Sequence, residues 1–447
     1  MKTYKKLAVG ALALVTAGAA SAQTVIRIVG SNGDRTATQT AISKLLDAGW
    51  TFQGTGGQAT SASLPTATAA NFGAWNGSYG GNPVVIKVSF SGALAGIAAV
   101  AGNTDQRFVV SNGTGTANLV NPISTGAVAG TDYELGKADF GFSTNFQTTS
   151  PYNGVFEGVT YNTVVEEIVG VSPLAFYASP GFPADNITTQ QAQLLYSNGV
   201  LSVGLFTGDL TADGNKLVYA IGRDTNAGQR FGAYAEVGLG TASAVKVWQP
   251  VVSGSTTTGG VISGGTVQSQ VLWPAETKGG IFSPLGSGGF DGGATLAPVL
   301  TTTLTANAYR GAYYDEDIED FAFLYPNATA GYYIGYLTPG DGRPRVLGVN
   351  ATTGAVTGNI PVQNRGKELK YNGVALTDAN VQNGSYTAWL YNRILKPQSG
   401  LVGLKLTFAN ALRDQIKNTD APSGGGLFDN ATFKVKRFTD GGLVVPK

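Results

Sequence analysis

Ile221-Gly222-Arg223-Asp224-Thr225-Asn226-Ala227-Gly228-Gln229-Arg230-Phe231 is the stretch from which the rest of the chain is read. It follows an apolar, strand-like run at 216–221 and precedes 231–238, which can form a short helix. A strand that feeds a polar, glycine-containing loop at a helix start gathers several backbone N–H groups around one point. The helix dipole favours negative charge there. Arg223 and Arg230 add formal charge, and a guanidinium fork can bond two oxygens of an oxyanion at once. A strand–turn–helix whose arginines form surface ion pairs would have the same sequence texture, so the stretch alone marks only a candidate anion site.

Three earlier stretches repeat the pattern. Thr24-Val25-Ile26-Arg27-Ile28-Val29 alternates as a strand does, Gly30-Ser31-Asn32-Gly33-Asp34-Arg35 breaks it, and 36–46 has helical periodicity. The region 51–81, rich in Gly, Ala, Ser and Thr, reads as loop with short pieces of structure. Val84-Val85-Ile86-Lys87-Val88-Ser89-Phe90 is a second strand, and Ser91-Gly92-Ala93 opens a helix at 94–100. Ala138-Asp139-Phe140-Gly141-Phe142-Ser143-Thr144 is a third polar turn after a short strand. Ser31, Ser91 and Ser143 can each cap a turn or bond an anion, because both roles use the same hydroxyl chemistry. A long β-rich run at 166–177 can cross between lobes, and Ile187-Thr188-Thr189 caps a helix at 190–196.

Beyond the central stretch the texture changes. No charged residue occurs between Trp248 and Ala275, and Gly/Thr-rich punctuation continues to about 290. Residues 241–310 are therefore expected as loops and short hairpins inserted in a second lobe, dispensable for binding. The acidic run Asp315-Glu316-Asp317-Ile318-Glu319-Asp320 lacks the spacing of a calcium loop and is expected as a solvated helix start. A helix at 401–416 and a strand at 431–438 complete the chain. Alternating strands and helices favour α/β units over an all-β sandwich.

Composition removes whole classes of chemistry. The chain has no His and no Cys, so a Ser-His-Asp triad, a cysteine nucleophile and His- or Cys-ligated zinc are impossible. Carboxylate, Ser-Lys or oxygen-ligated cation chemistry remains, and no paired acidic motif argues for an enzyme. A formal net charge of +1 gives no global field for nucleic acid or anionic membrane. Lys2, Lys5 and Lys6, the apolar segment 7–17 and the small residues Ala20-Ser21-Ala22 read as a signal peptide cleaved after Ala22. The expected product is periplasmic or secreted, begins at Gln23, and has no membrane span.

Taken in order, these stretches resemble the phosphate-binding, type II periplasmic solute-binding proteins of ABC transporters. Gly30-Ser31-Asn32-Gly33 is similar to the family's first anion loop, Phe90-Ser91-Gly92-Ala93 to its second, and Ala138–Ser143 to the end of its third strand. Val169–Tyr177 with Asn186-Ile187-Thr188-Thr189 resembles the crossover and the following helix cap. Arg223 through Gly228-Gln229-Arg230 resembles the second lobe's arginine stretch, and Ile334-Gly335-Tyr336-Leu337, Asn372-Gly373-Val374 and Asn383-Gly384-Ser385-Tyr386 its later signposts. The resemblance implies a two-lobe α/β fold with an interlobe cleft and Gly/Thr-rich insertions. It places lobe 1 at 23–172, lobe 2 at 173–339 and a return to lobe 1 at 340–447. It also implies ligand contacts from Ser31, Asn32, Ser91, Gly92, Ser143, Thr144, Arg223, Asn226, Gly228 and Arg230, with no cofactor and no metal. Two departures stand out: the family's Ser-Gly-Thr-Arg is Ala227-Gly228-Gln229-Arg230 here. Thr144 stands where the family has the aspartate that accepts the proton of bound phosphate.

Two functions follow as expectations. The first is a non-enzymatic protein that holds a small oxyanion, phosphate foremost, and delivers it to an ABC permease. The second is a structural or adhesive exported protein that reuses the two-lobe fold, which the low charge and the insertions favour.

Overall fold

Thr24–Val29 is β-branched at every position except Arg27 and forms a central strand of the first of two large sheets. The computed structural model describes residues 23–60, 68–240, 244–251, 265–278, 281–283, 286–315, 317–424 and 427–447. The signal peptide expected at residues 1–22 lies outside them.

The first sheet has eight strands, in the order Val164–Pro173, Trp389–Pro397, Phe140–Ser143, Thr24–Val29, Asn82–Ser89, Phe72–Tyr79, Thr51–Gly54 and Gly57–Thr60. Thr24–Val29 runs parallel to both of its neighbours. Parallel neighbours need crossover connections, and the helices Arg35–Leu45 and Ala93–Ala101 lie within those crossovers. The first helix buries Ala37, Ala41 and Ile42 in one cluster with Ile26 and Ile28, the second buries Leu94, Ile97 and Val100 in another with Val29. Three of the strands fall in 51–81, which was expected to be mostly loop. Buried Phe52, Phe72 and Trp75 hold them, with Trp75 packed 4.9 Å from Trp50 and 4.7 Å from Phe52. The small residues between these anchors carry no strand signal of their own.

Val164–Pro173 leaves the first sheet and, after Leu174, becomes Ala175–Ala178 in the second. This is the crossing expected from 166–177. The second sheet has the order Val200–Ser202, Lys216–Ala220, Ala330–Leu337, Ala175–Ala178 and Lys367–Glu368. Its core buries Tyr177, Tyr196, Tyr219, Tyr333 and Tyr336 completely. Thr188 caps Thr189–Asn198 reciprocally with Gln191, each side chain bonding the other's backbone N–H. The architecture is thus α/β with two sheet-centred lobes, as expected.

Three details differ from the sequence-based expectations. The chain returns to the first sheet at Trp389, later than residue 340, because Lys367–Glu368 pairs with Ala175–Ala178 and Leu369, Tyr371 and Val381 belong to the second core. Within 241–310 the described residues pack on the second lobe with short hairpins, as expected: Val247, Trp248, Val267, Phe290 and Leu300 are buried in that same core. The acidic run is no helix start, since Ala312–Asp315 and Asp320–Phe323 pair as a hairpin with turn residues at 317–319. Like charges repel less in a solvated turn than along one helix face. The strand expected at 431–438 is only Val435–Lys436, paired with Val445–Pro446. Among the described residues no helix is long and apolar enough to cross a membrane.

Candidate functional site

The loops after Thr24–Val29 and Asn82–Ser89 in the first lobe, and after Lys216–Ala220 in the second, meet at one small cavity. Its lining is Ser31, Asn32, Gly33, Ser91, Gly92, Ala93, Arg223, Asp224, Ala227, Gly228, Gln229 and Asp291. Six of the ten expected ligand residues are therefore on its wall: Ser31, Asn32, Ser91, Gly92, Arg223 and Gly228. Ser143, Thr144, Asn226 and Arg230 stand behind it.

Two helices point into this cavity from opposite lobes. Ala93–Ala101 starts after Gly92, and Gly228–Glu236 starts after Ala227. The first-turn amides of Ala93, Gly228 and Gln229 have no hydrogen-bond partner among the described residues. A methyl on Gly228 would lie 2.6 Å from the Ala93 methyl, so the two positive helix ends are in contact. Gly92 takes φ +144° to turn into its helix, and a methyl there would come within 2.6 Å of the Asn226 carbonyl. Leu94 N–H reaches that same carbonyl at 3.4 Å, and Asn145 Nδ2 donates to the Gly228 carbonyl at 3.3 Å. Phe231 enters the first lobe's satellite core beside Leu94, Ile97 and Leu395. Burial of such a side chain contributes about 1.5–3 kcal/mol to closure.

The arginines do not face the cavity as bare charges. Arg223 donates from Nε to the Phe290 carbonyl at 3.0 Å, from Nη1 to Gln229 Oε1 at 2.6 Å and from Nη2 to the Asp291 carbonyl at 2.8 Å. Arg230 donates from Nη1 to the carbonyls of Arg223 and Gly288, both at 3.0 Å, and lies 5.3 Å over the Tyr234 ring. Asp224 and Asp291 also line the wall. An anion placed there would meet mainly oriented N–H groups, with the arginines fixing the loop that presents them. Phe290, Asp291 and Gly288, from the region expected to be dispensable, supply carbonyls that hold both arginines. Their carbonyls face the two arginines because Phe290 forms a bridge to Arg223.

The third turn closes the floor. Ser143 Oγ accepts from the Asn145 amide at 3.1 Å, and Thr144 is buried with its hydroxyl 3.5 Å from Asn145 Oδ1. Beneath lies Asp34, which takes 2.5 Å from Asn392 Nδ2. Burial pushes its carboxyl up to about 7, against the opposing pull of Asn392, Arg393 and Ser31. At the rim, burial holds Arg35 below the ordinary guanidinium value, Asp341 opposing and Arg345 and Arg223 adding to the shift. Ala93, Ala227 and Gln229 were within the quoted motifs but carried no chemistry of their own, being backbone donors or neutral. Asp291 had no signal, since it comes from a stretch with no motif. Among the described residues there is no group of three His, Cys, Asp or Glu that could hold a metal.

The cavity holds about 10 Å³, room for roughly one water. A larger one, of about 440 Å³, lies on the other side of Gly33, between Pro173, Pro339 and Leu427.

In fold the chain is similar to solved substrate-binding proteins. One is an ABC-type phosphate transport receptor from Vibrio cholerae, 11% identical over 87% of this chain and 93% of that one, with a TM-score of 0.42. PstS from Borrelia burgdorferi is 10% identical, covering 90% of this chain and 95% of its own, with a TM-score of 0.35. A phosphate-binding protein from Stenotrophomonas maltophilia is 10% identical over 88% and 83%, also with a TM-score of 0.35. No protein-family model and no curated protein matches the chain. At such scores the likeness is remote, and the chemistry of the site rests on its own residues.

Proposed function

We propose that the protein is an exported, non-enzymatic solute-binding protein that holds one small oxyanion, phosphate foremost, between its lobes for ABC-type uptake. The observation that carries this reading is the contact of two helix N-termini from opposite lobes, with unpaired first-turn amides on both. Like dipole ends repel at contact, and an anion between them would turn that repulsion into attraction. Ser31, Asn32, Ser91 and Gly92 would contribute from the first lobe and Gly228 from the second, with Asn226 behind it. Ser143, Thr144, Arg223 and Arg230 would hold those groups in place. With room for about one water, the cavity requires the helix ends to part slightly around a tetrahedral ion. The periplasmic address and the permease partner belong to the same proposal. Intact mass of the exported protein checks the leader: a mass retaining residues 1–22 would mean an uncleaved anchor.

The second reading, a structural protein that reuses the fold, is favoured by the occupied arginines and the nearly filled cavity. Calorimetry with phosphate, sulfate and related anions separates the two. Saturable one-to-one binding supports the first; a folded protein that gives no heat with any anion supports the second.

A further inference from the structure

Residues 437–441 lie across the seam between the lobes and bond residues on both sides of it. Arg437 is buried, and its Nη1 donates to Glu236 Oε2 at 3.0 Å, at the end of the Gly228 helix. Its Nη2 donates to the Thr387 carbonyl at 2.6 Å, and its guanidinium lies 4.3 Å from the Trp389 ring centre. Three residues on, Asp440 is buried too. Its Oδ2 accepts from the Phe146 amide at 2.9 Å and from the Thr149 hydroxyl at 2.5 Å, in the loop that follows Ser143 and Thr144. Gly441 packs directly on Ala235 of the Gly228 helix. One short segment thus joins the helix that presents Gly228 to the loop that carries Thr144.

The seam opposes its own closure. Asn32 Oδ1, Asp34 Oδ2, Thr225 Oγ1, Asn226 Oδ1 and both Nη atoms of Arg393 are buried without a hydrogen-bond partner among the described residues. Opening would hydrate those that lie between the lobes, Asn32 and Asn226 among them, so each of these favours the open arrangement. Against them stand Phe231 and the bonds of residues 437–441, which are charge-assisted on both sides. Withdrawing the segment would leave Glu236, which is 9% exposed at its side chain, without its arginine.

We propose that residues 437–441 are a latch that holds the lobes together and must disengage before the cavity admits a solute. The consequence for solute entry rests on the reading of the cavity given above, whereas the latch is tested with no solute present. Hydrogen exchange of the full chain is compared for the wild type, Asp440→Ala, and the double variant Thr149→Cys/Asp440→Cys. The natural chain has no cysteine, so only one disulfide can form. Asp440→Ala should speed exchange of the seam amides at 145–150 and 228–236 by about tenfold, with the Val84–Val88 amides of the first sheet unchanged. The oxidised double variant should exchange more slowly at the seam than its reduced form. Seam exchange unchanged in Asp440→Ala, or raised equally at Val84–Val88, would overturn the latch. If Asp440→Ala fails to fold, the double variant decides: equal seam exchange in its oxidised and reduced forms overturns the proposal. Phosphate calorimetry on the wild type is scored separately, so absence of binding would count against the solute reading and leave the latch result standing.

Discussion

Gly228 and Thr144 face each other across the interlobe seam so closely that a methyl on Gly228 would lie 2.0 Å from Thr144 Oγ1. The same methyl would be 2.6 Å from Asn145 Oδ1. Glycine at 228 is thus a condition of closure. Gly228→Ala should lower stability by about 1–3 kcal/mol through overpacking and weaken anion binding by holding the lobes apart. Gly340→Ala, where the nearest neighbour is 4.0 Å away, serves as the control. Denaturant midpoints and calorimetry read both effects, and equal behaviour of the two variants would contradict the geometry.

Thr144→Asp tests selectivity at the same contact. Thr144 is buried, and its hydroxyl can donate or accept. A carboxylate there would favour a partner that brings a proton, so phosphate should lose less affinity than sulfate, which has none to offer at neutral pH. The variant should also lose stability, since the new charge lies beside Asn145 Oδ1. Affinities of both anions for both proteins decide the point. If the wild type already excludes sulfate, another acidic group, with Asp224 on the cavity wall, makes the distinction.

Arg230 acts on the loop rather than on the ion. Arg230→Ala removes the bonds to the Arg223 and Gly288 carbonyls and should cost about 1.5–3 kcal/mol of stability, with about a tenfold or greater loss of anion affinity. Arg310→Ala, whose Nε bonds the Ala328 carbonyl at 3.2 Å away from the cavity, should leave affinity unchanged. Titration of both variants with phosphate checks this, and unchanged affinity in Arg230→Ala would remove that arginine from the site.

Asp34 gives the stability a pH dependence. Its carboxyl is raised from 3.8 to about 7 in the fold, so the folded chain binds the proton more tightly than the unfolded one. The associated stability is fully present below about pH 4 and is lost as pH rises through 7. Asp34→Asn should therefore gain on the wild type between pH 4.5 and 7.5, by about 2–4 kcal/mol. Urea unfolding at the two pH values measures it; a constant difference would show that Asp34 does not titrate in this range.

Local chemistry made much of the framework legible. Thr24–Val29, Lys216–Ala220 and Ala330–Leu337 are short runs whose β-branched and aromatic residues leave little choice but a strand. Thr188 and Gln191 announce their helix start three residues apart. The absence of His and Cys settled the exclusion of several catalytic classes without any structure. The order of the polar turns after successive strands was enough to bring Ser31, Ser91, Arg223 and Gly228 to one wall.

Tertiary structure decided the rest, because those outcomes depend on partners distant in sequence. Arg223 looks like an anion ligand until Phe290 and Asp291, 67 and 68 residues away, take its nitrogens. Trp75 draws a weakly patterned stretch into the first sheet by packing on Trp50 and Phe52. Residues 340–388 stay with the second lobe because Lys367–Glu368 finds its pairing partner there. Arg437 and Asp440 have no motif, and their roles at the seam exist only because folding sets Glu236 and Phe146 on either side of them. A sequence fixes the chemistry each side chain can offer; which groups satisfy one another, and which are left to meet a solute, is set by packing.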